Sequence, residues 1–225
     1  MRASVATLVC LLLAQGVWPG APSVADGGTV SGREVRLPTV GPAEGGALEQ
    51  VMARRRSVRD FLPTPLSAAQ IGRLLWAAQG STGRRGLRTA PSAGALYPLH
   101  LYVVTQAGVY HHQREPHALR RVREGDARKE LARTALGQQP IAEAPAVFAI
   151  AADPKRTEAK YGPRAERYVV LEAGHVAQNI LLQATAMQLG AVPIGAFHDR
   201  AVSRTLRIPK DQTVLYLIPV GWPRG

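Results

Sequence analysis

The stretch ERYVVLEAGHVAQNILLQATAMQL, residues 166–189, is the longest helical pattern in this chain of 225 residues. Its apolar side chains fall on nearly every side of a helix, and such a helix is buried centrally or lies in a subunit interface. Gly190 ends the pattern and Pro193 follows closely, as is usual beyond a helix C-terminus. We therefore predict a single domain built around this helix, which assembles as a homodimer.

Shorter helices and strands are expected on either side of the long helix. Helices are predicted at 48–56, at 67–78 with Ser67 as N-cap, from 116 to 122 and from 129 to 136. Strands are predicted at 99–105, 108–112, 146–152 and 214–220. These elements do not alternate regularly as β-α-β units, so the expected fold class is α+β, with a mixed sheet flanked by helices.

The composition is that of a globular protein, with 46% hydrophobic and 20% charged residues. The formal net charge is +12, which favours anionic partners in general. The hypothesis of a nucleic-acid-binding module rests on this charge alone. It predicts that retention of the protein on DNA falls steeply as the salt concentration rises. Because zinc-finger spacings and basic stripes interleaved with aromatic residues are absent from the sequence, we expect no nucleic-acid partner.

The N-terminus has the layout of a secretory signal peptide. Arg2 precedes an apolar run at 5–17, and Ser23-Val24-Ala25 places small residues before a cleavage site after Ala25. The expected organisation is a signal peptide at 1–25, a linker at 26–46 and a folded domain at 47–225, with export from the cytoplasm and no stable membrane span afterwards. An uncleaved anchor or a misassigned start codon are the alternatives, and without a signal the protein would be cytoplasmic.

The single cysteine, Cys10, lies inside the apolar run of the signal peptide. Cleavage would therefore leave a protein without a thiol, which excludes disulfides, thiolate metal sites and cysteine nucleophiles. Adjacent His111 and His112 would point to opposite faces of a strand, and Glu172 with His175 lacks the second motif of a di-iron site. No metal is expected.

Four segments could carry chemistry. Residues 54–59, Arg-Arg-Arg-Ser-Val-Arg, could grip a phosphate and a flat ring, or could simply be a basic helix end. The small residues of 90–98 would let a flat ligand approach the backbone, or form a plain turn. Lys160 and Tyr161 are candidate proton-transfer groups on a loop, or a solvated pair. The segment 193–197, Pro-Ile-Gly-Ala-Phe, could present backbone N–H groups to a ligand.

Taken in order, these segments resemble the nitroreductase superfamily, and within it the SagB/ThcOx-type dehydrogenases. The resemblance covers about residues 48–223 and rests on five motifs: Arg-Arg-Ser-x-Arg at 55–59, Pro-Ser-Ala-Gly-Ala-x-Tyr-Pro at 91–98, Lys-Tyr-Gly-x-Arg at 160–164, Tyr-x-x-Leu-Glu-Ala-Gly-His-x-x-Gln-Asn at 168–179 and Pro-Ile-Gly-Ala-Phe at 193–197. It implies a nitroreductase-like α+β fold, an intertwined homodimer and FMN bound in the dimer interface.

The resemblance also implies roles for individual residues. One subunit would contact FMN through Arg55, Arg56, Ser57 and Arg59, and the other through Pro91, Ser92, Ala93, Gly94 and Ala95. Backbone donors of Ile194, Gly195 and Ala196 would lie near the redox edge of the flavin. Lys160 and Tyr161 match the catalytic base and its partner in the azoline oxidases of this branch. Family members often have basic residues near the C-terminus that hold the FMN phosphate, and here Arg224 alone is available for that role.

The implied activity is hydride transfer to or from flavin N5. A nitroreductase-like enzyme would take electrons from NAD(P)H and reduce a small molecule, whereas an azoline oxidase would dehydrogenate a peptide substrate and pass electrons to oxygen. The Lys-Tyr pair favours the dehydrogenase branch. The alternative from a different class is a non-catalytic exported protein that keeps the fold and binds flavin.

Overall fold

The computed structural model describes residues 30–31, 34–35, 46–83 and 86–225. The expected signal peptide at 1–25 and most of the linker at 26–46 lie outside the described residues. Within the linker, β1 (Val30–Ser31) and β2 (Glu34–Val35) pair antiparallel. Residues 1–44 and 45–225 form two separate units, and the second holds every remaining element.

Seven helices and six further strands make up the described part of the second unit. The helices are α1 (Ala47–Arg54), α2 (Ala68–Gln79), α3 (Arg128–Thr134), α4 (Gln139–Glu143), α5 (Lys155–Tyr161), α6 (Ala165–Ala186) and α7 (Asp199–Thr205). The strands are β3 (Leu99–Thr105), β4 (Gly108–Gln113), β5 (Ala118–Glu124), β6 (Ala146–Ala152), β7 (Gly190–Ala191) and β8 (Thr213–Gly221). Short 3-10 turns occupy Ala93–Ala95 and Gly162–Arg164.

The six strands form one sheet in the order β5-β4-β3-β6-β8-β7. Neighbouring strands pair antiparallel throughout, and a parallel bridge between Ser57 and Ala191 adds an extended segment beside β7. This arrangement confirms the α+β class and matches the fold expected for a nitroreductase-like domain.

Strand β6 lies at the centre of the sheet and is buried at every position. Its side chains alternate between two cores, because successive residues of a strand point to opposite faces. Phe148 and Ile150 pack under α2 and α6, whereas Val147 and Ala149 pack on the other face, which α3, α4 and α7 cover. The continuous apolar sequence of β6 is therefore explained by helices on both sides of the sheet.

Helix α6 covers the sheet but is not buried all round. One face carries the core residues Val169, Val176 and Ile180, while Val170 and Leu171 are about half exposed in the single chain. The prediction of a central helix is thus confirmed, and its second face remains open for a further contact. Within the described part of the chain, no helix is both long and apolar enough to cross a membrane.

Two local predictions were wrong. Residues 118–124 form strand β5, although a helix was predicted from 116 to 122, because they complete a hairpin on β4 that the local pattern does not reveal. Lys160 and Tyr161 end helix α5 and do not lie on a loop. For residues 118–124, pairing with β4 overrides a weak local preference for helix. Lys160 and Tyr161 belong to a helix of only seven residues.

Candidate active site

The arginine-rich segment runs along the outer edge of β7. Val58 donates its backbone N–H to the Ala191 carbonyl at 3.1 Å, next to the Ser57–Ala191 bridge. The two backbones are so close that a Cβ at Gly190 would lie 2.6 Å from Cβ of Val58. The absent side chain of Gly190 therefore lets this segment dock on the sheet, which leaves Ser57 and Arg59 exposed and Arg55 half-buried.

Two of the predicted ligand contacts are engaged elsewhere. The Arg56 guanidinium donates to the carbonyls of Ala53 and Arg55 at 2.9 and 2.8 Å, so it caps the end of α1. Arg224 donates to the Asp60 carboxylate at 3.0 Å and to the Phe61 carbonyl at 3.1 Å. Arg224 thereby neutralises Asp60, the residue that follows Arg59 in the chain. Arg55 and Arg59 have no ion pair within the described residues.

The 193–197 segment leaves β7 and turns back over the middle of β8. The Ile194 N–H donates to the Leu217 carbonyl at 2.8 Å, so the prediction that Ile194 presents this donor to a ligand was wrong. Gly195 and Ala196 are exposed, and no backbone hydrogen bond of the described residues uses their N–H groups. The Gln138 side chain donates to the Ala196 carbonyl at 2.7 Å, which fixes the peptide group between Ala196 and Phe197.

The segment 91–95 forms a tight turn before β3. Gly94 and Ala95 adopt φ values of 60° and 54°, in the left-handed region that favours glycine, and Tyr97 adopts 50°. The Ser92 hydroxyl accepts a hydrogen bond from the Tyr97 N–H at 2.9 Å and holds the turn together. The two non-glycine residues at positive φ, Ala95 and Tyr97, are strained, and strained residues of this kind cluster at functional sites.

Lys160 and Tyr161 lie against this turn. A Cβ built on Gly94 would be 2.9 Å from the Tyr161 hydroxyl and 3.0 Å from Lys160 Nζ. Lys160 Nζ lies 5.5 Å from the centre of the Tyr161 ring, and the ring of Tyr168 meets that of Tyr161 edge-on at 5.0 Å. The structure therefore brings together two sequence segments, 91–95 and 160–161, that are more than sixty positions apart in the chain.

Glu172 is a site residue that the sequence reasoning missed. Its side chain is only 3% exposed, it accepts a hydrogen bond from Gln79 at 3.3 Å, and it interacts with the Ser92 hydroxyl of the turn. Burial raises its pKa above the ordinary value, against the opposing effects of the Ser92 hydrogen bond and of the Arg88 charge. The available signal was an acidic residue in the apolar row of α6, one position before buried Ala173.

These residues fall into two groups that are separated along β6. The first, the arginine half-site, consists of Arg55, Ser57 and Arg59 with Gly195 and Ala196; the second, the lysine half-site, consists of Ser92, Gly94, Lys160, Tyr161 and Glu172. Ser57 lies towards the Ala146 end and the Gly94 turn towards the Ala152 end, while Ile194, which precedes Gly195, pairs with Leu217 opposite Ala149 in the middle of the strand. Ser57 reaches β6 through Ala191 and Val220, which pairs with Ala146. The turn and α5 join the sheet beyond Ala152, about 20 Å away at roughly 3.3 Å per strand residue.

Four histidines, on β3, on β4 and in the turn before β5, form two separate pairs. His111 lies 3.4 Å from His100, and His112 lies 3.0 Å from His117 on the other face of the sheet. The two adjacent side chains thus point in opposite directions, as predicted. No cluster of three potential metal ligands occurs in the described ranges.

Comparison with known proteins identifies the class of this site. The sequence profile of the Nitroreductase family matches residues 52–222, which include both half-sites. The chain belongs to the nitroreductase family. Its fold is therefore that of a nitroreductase-family oxidoreductase.

Individual members of the family are similar over most of the chain. A candidate nitroreductase of Methanocaldococcus jannaschii is 43% identical over 194 residues, covering 84% of this chain and 96% of that protein. The trifolitoxin operon protein TfxC of Rhizobium leguminosarum bv. trifolii is 25% identical over 192 residues, and the match covers 76% of this chain. It covers 54% of TfxC, so the chain spans about half of that relative.

Solved structures agree with this assignment. The crystal structure of a candidate nitroreductase from Ralstonia eutropha has a TM-score of 0.72 at 27% identity, covering 84% of this chain and 89% of that one. The NADPH:FMN oxidoreductase of Vibrio harveyi has the same fold, with a TM-score of 0.60 at 22% identity, covering 79% of this chain and 69% of that one.

The close contact at Gly94 generates a first prediction. In Gly94→Ala, the new methyl group would displace the Tyr161 hydroxyl and Lys160 Nζ, which are the mobile ends of side chains. We expect a folded protein with a strongly reduced turnover rate, measured with any substrate that the wild type accepts.

Gly125→Ala is the matched control for this substitution. Gly125 also has a positive φ, 77°, but its Cβ would meet open space, so both variants carry a backbone strain of about 1–2 kcal/mol. If the two variants lose stability and turnover equally, Gly94 acts through the backbone alone and the contact with Lys160 has no catalytic importance.

The raised pKa of Glu172 generates a second prediction. Protonation of Glu172 is favoured in the folded state, so its stabilising contribution is complete below the unfolded pKa of about 4.5 and is lost as pH rises through the folded pKa. The free energy of unfolding of Glu172→Gln relative to wild type should therefore increase as pH rises from about 4.5. Urea unfolding at a series of pH values measures this difference.

Glu166→Gln controls for the loss of one carboxyl group from the same helix, at an exposed position. A stability difference for Glu172→Gln that stays constant with pH would contradict the assignment of Glu172 as a carboxyl with a raised pKa.

Proposed function

We propose that this protein is an FMN-dependent oxidoreductase of the SagB/ThcOx-type dehydrogenase branch and that it acts as a homodimer. The observation that carries the proposal is the contact of Lys160 and Tyr161 with the Gly94 turn. This contact places a candidate proton-transfer pair on a backbone segment that a flat ligand could approach closely.

The residues present fit FMN. Arg55 and Arg59 lack carboxylate partners in the described residues and stand beside the exposed Ser57 hydroxyl, a donor set suited to a phosphate. The free N–H groups of Gly195 and Ala196 suit an anionic edge of a ring system. When bound, FMN supplies hydride exchange at its N5 atom. The relative named NADPH:FMN oxidoreductase supports the choice of this flavin.

The protein itself would manage protons and orientation. Lys160 Nζ would accept the proton that a substrate releases together with its hydride, and the Tyr161 hydroxyl would orient or relay that proton. Glu172 would hold Ser92 in place beneath the turn through its buried carboxyl group. Gly195 and Ala196 would stabilise the negative charge that develops on the reduced ring.

A second subunit would complete the site. Ser57 and the Gly94 turn lie towards opposite ends of β6, so two antiparallel copies of the chain would bring the arginine half-site of one subunit to the lysine half-site of the other. The apolar surface that such a dimer would cover includes the following exposed side chains: Leu48, Met52, Trp76, Val170 and Leu171. Helices α1 and α2 both contact α6, so these side chains lie on neighbouring helices.

The substrate class follows from the Lys-Tyr pair. A base beside the flavin is needed to dehydrogenate a carbon–nitrogen or carbon–carbon bond, whereas reduction of a quinone or nitro group by NAD(P)H needs proton donors only. The resemblance to the azoline oxidases, which dehydrogenate a peptide substrate, supports a peptide substrate. We therefore propose a peptide-derived heterocycle as substrate, oxidised by two electrons that dioxygen finally accepts.

Lys160→Ala tests the catalytic role directly. Loss of a general base typically slows a reaction by about 10²–10⁴-fold, so flavin reduction by substrate should slow by an amount in that range. The variant should keep its bound FMN, and dithionite should reduce that FMN at the wild-type rate because dithionite needs no protein base. Stopped-flow absorbance at the flavin band measures both rates.

Lys155→Ala, at the opposite end of the same helix, controls for the loss of a lysine. Wild-type reduction rates in Lys160→Ala would remove the catalytic role and leave only the cofactor assignment. Purified protein that carries no flavin and cannot be reconstituted with FMN would overturn the proposed function as a whole.

Mixing inactive variants tests the shared site. Arg59→Ala should weaken FMN binding and Lys160→Ala should block proton transfer, yet a mixed dimer would contain one site with neither defect. Statistical reassembly should restore about a quarter of the wild-type activity, because half of the dimers are mixed and each has one intact site. If the mixture stays inactive while mixed dimers form, both half-sites belong to the same subunit.

A further inference from the structure

Strand β5 is the outermost strand of the sheet on the side away from β7. It pairs with β4 alone, so its other backbone edge has no strand partner in the described part of the chain. Its first four residues, 118–121, are exposed. An open edge of this kind can accept an added strand from another protein, because unpaired N–H and C=O groups remain available.

Arginines line both faces of this edge. Cross-strand partners share a face of the sheet, so Arg120 and Arg123 lie on the face of His111 and Val109, which α7 covers. Arg121 pairs with Tyr110 and lies on the opposite face. An added strand would therefore meet guanidinium groups on either side, whichever way its alternate side chains point.

A further arginine converges from a separate element. Arg207 follows α7 and, with 120–124, lines an open depression of about 710 Å³ beside β5. It adopts a φ of 56° at a helix C-terminus, a position where glycine is preferred and where another residue costs about 1 kcal/mol. Arginines on an edge strand could serve only to prevent aggregation, but such a role would not require Arg207.

The depression carries uncompensated positive charge. Arg123 is paired with Glu130, and Arg121 with Glu124 at 2.8 Å. Arg120 and Arg207 are exposed and have no ion pair among the residues that the structure describes. Two free guanidiniums beside an open strand edge provide planar, paired donors that match carboxylate groups.

We propose that β5 is a docking edge for an acidic, extended peptide segment of a partner protein. The peptide would add as a strand to β5, and its carboxylates would bind Arg120 and Arg207. A peptide fits better than a nucleic acid, since a strand edge offers backbone pairing that a polyphosphate cannot use and the depression has no aromatic side chain for base stacking.

This docking edge is independent of the flavin chemistry. It lies on the opposite edge of the sheet from β7 and the arginine half-site. Its residues take no part in the proposed proton transfer. Loss of peptide binding should therefore leave the flavin content unchanged, and a failure of the FMN proposal would leave the docking edge untouched.

Fluorescence anisotropy of a labelled peptide tests the proposal on the full chain. The probe is a short synthetic peptide of alternating glutamate and valine, and its lysine–valine counterpart is the charge control. The double variant Arg120→Glu with Arg207→Glu should bind the acidic peptide about a hundredfold more weakly, since each of the two lost charge-assisted bonds is worth about tenfold in affinity. Arg73→Glu, an exposed position on α2, is the matched control and should bind like wild type.

Further probes separate strand addition from simple charge attraction. A version of the peptide that is N-methylated at alternate residues cannot pair along one edge and should lose binding. Binding that survives N-methylation, or that is unaffected by the double variant, would overturn the proposal. Tighter binding of oligo-dT or of phosphatidylserine vesicles than of the acidic peptide would also overturn it and would assign the surface to a polyanion or a membrane instead.

Discussion

The burial of β6 between two helical layers is the constraint on which the rest of this structure depends. Every side chain of β6 faces one core or the other, so β3 and β8 pair with it in one register. The positions of the two ends of β6 are therefore fixed. The arginine-rich segment docks at one end through β7 and β8. The Gly94 turn and α5 lie at the other end of β6. The packing of β6 in the core therefore determines the distance between Ser57 and the Gly94 turn.

Within the lysine half-site, a single missing side chain has the largest effect. Gly94 combines a left-handed backbone with a space that Tyr161 and Lys160 occupy, so the turn and the end of α5 come into close contact. Beneath this contact, Glu172 brings a buried carboxyl group against Ser92 and Gln79. Polar groups held at such depth restrict the positions of their neighbours, because each unsatisfied partner would be costly.

Positive charge is distributed unevenly over the molecule. Several arginines are neutralised locally, as Arg224 is by Asp60 and Arg123 by Glu130, and these contribute to structure. Others face solvent without an ion pair in the described residues, at Arg59 beside β7 and at Arg120 beside β5. Two surfaces with unpaired arginines therefore lie at opposite edges of the sheet, each suited to a different anion.

The sequence by itself determined the long helix, strands β3, β4, β6 and β8, and the family, because continuous apolar runs and five ordered motifs are local signals. It also identified Lys160, Tyr161 and the 91–95 turn as separate candidates. Only the tertiary structure decided that these segments meet, that Ile194 uses its N–H within the sheet and that residues 118–124 form a strand. The raised pKa of Glu172 was likewise decided by the tertiary structure, since the pKa of a carboxyl group and the pairing of a strand depend on neighbours that are distant in the chain.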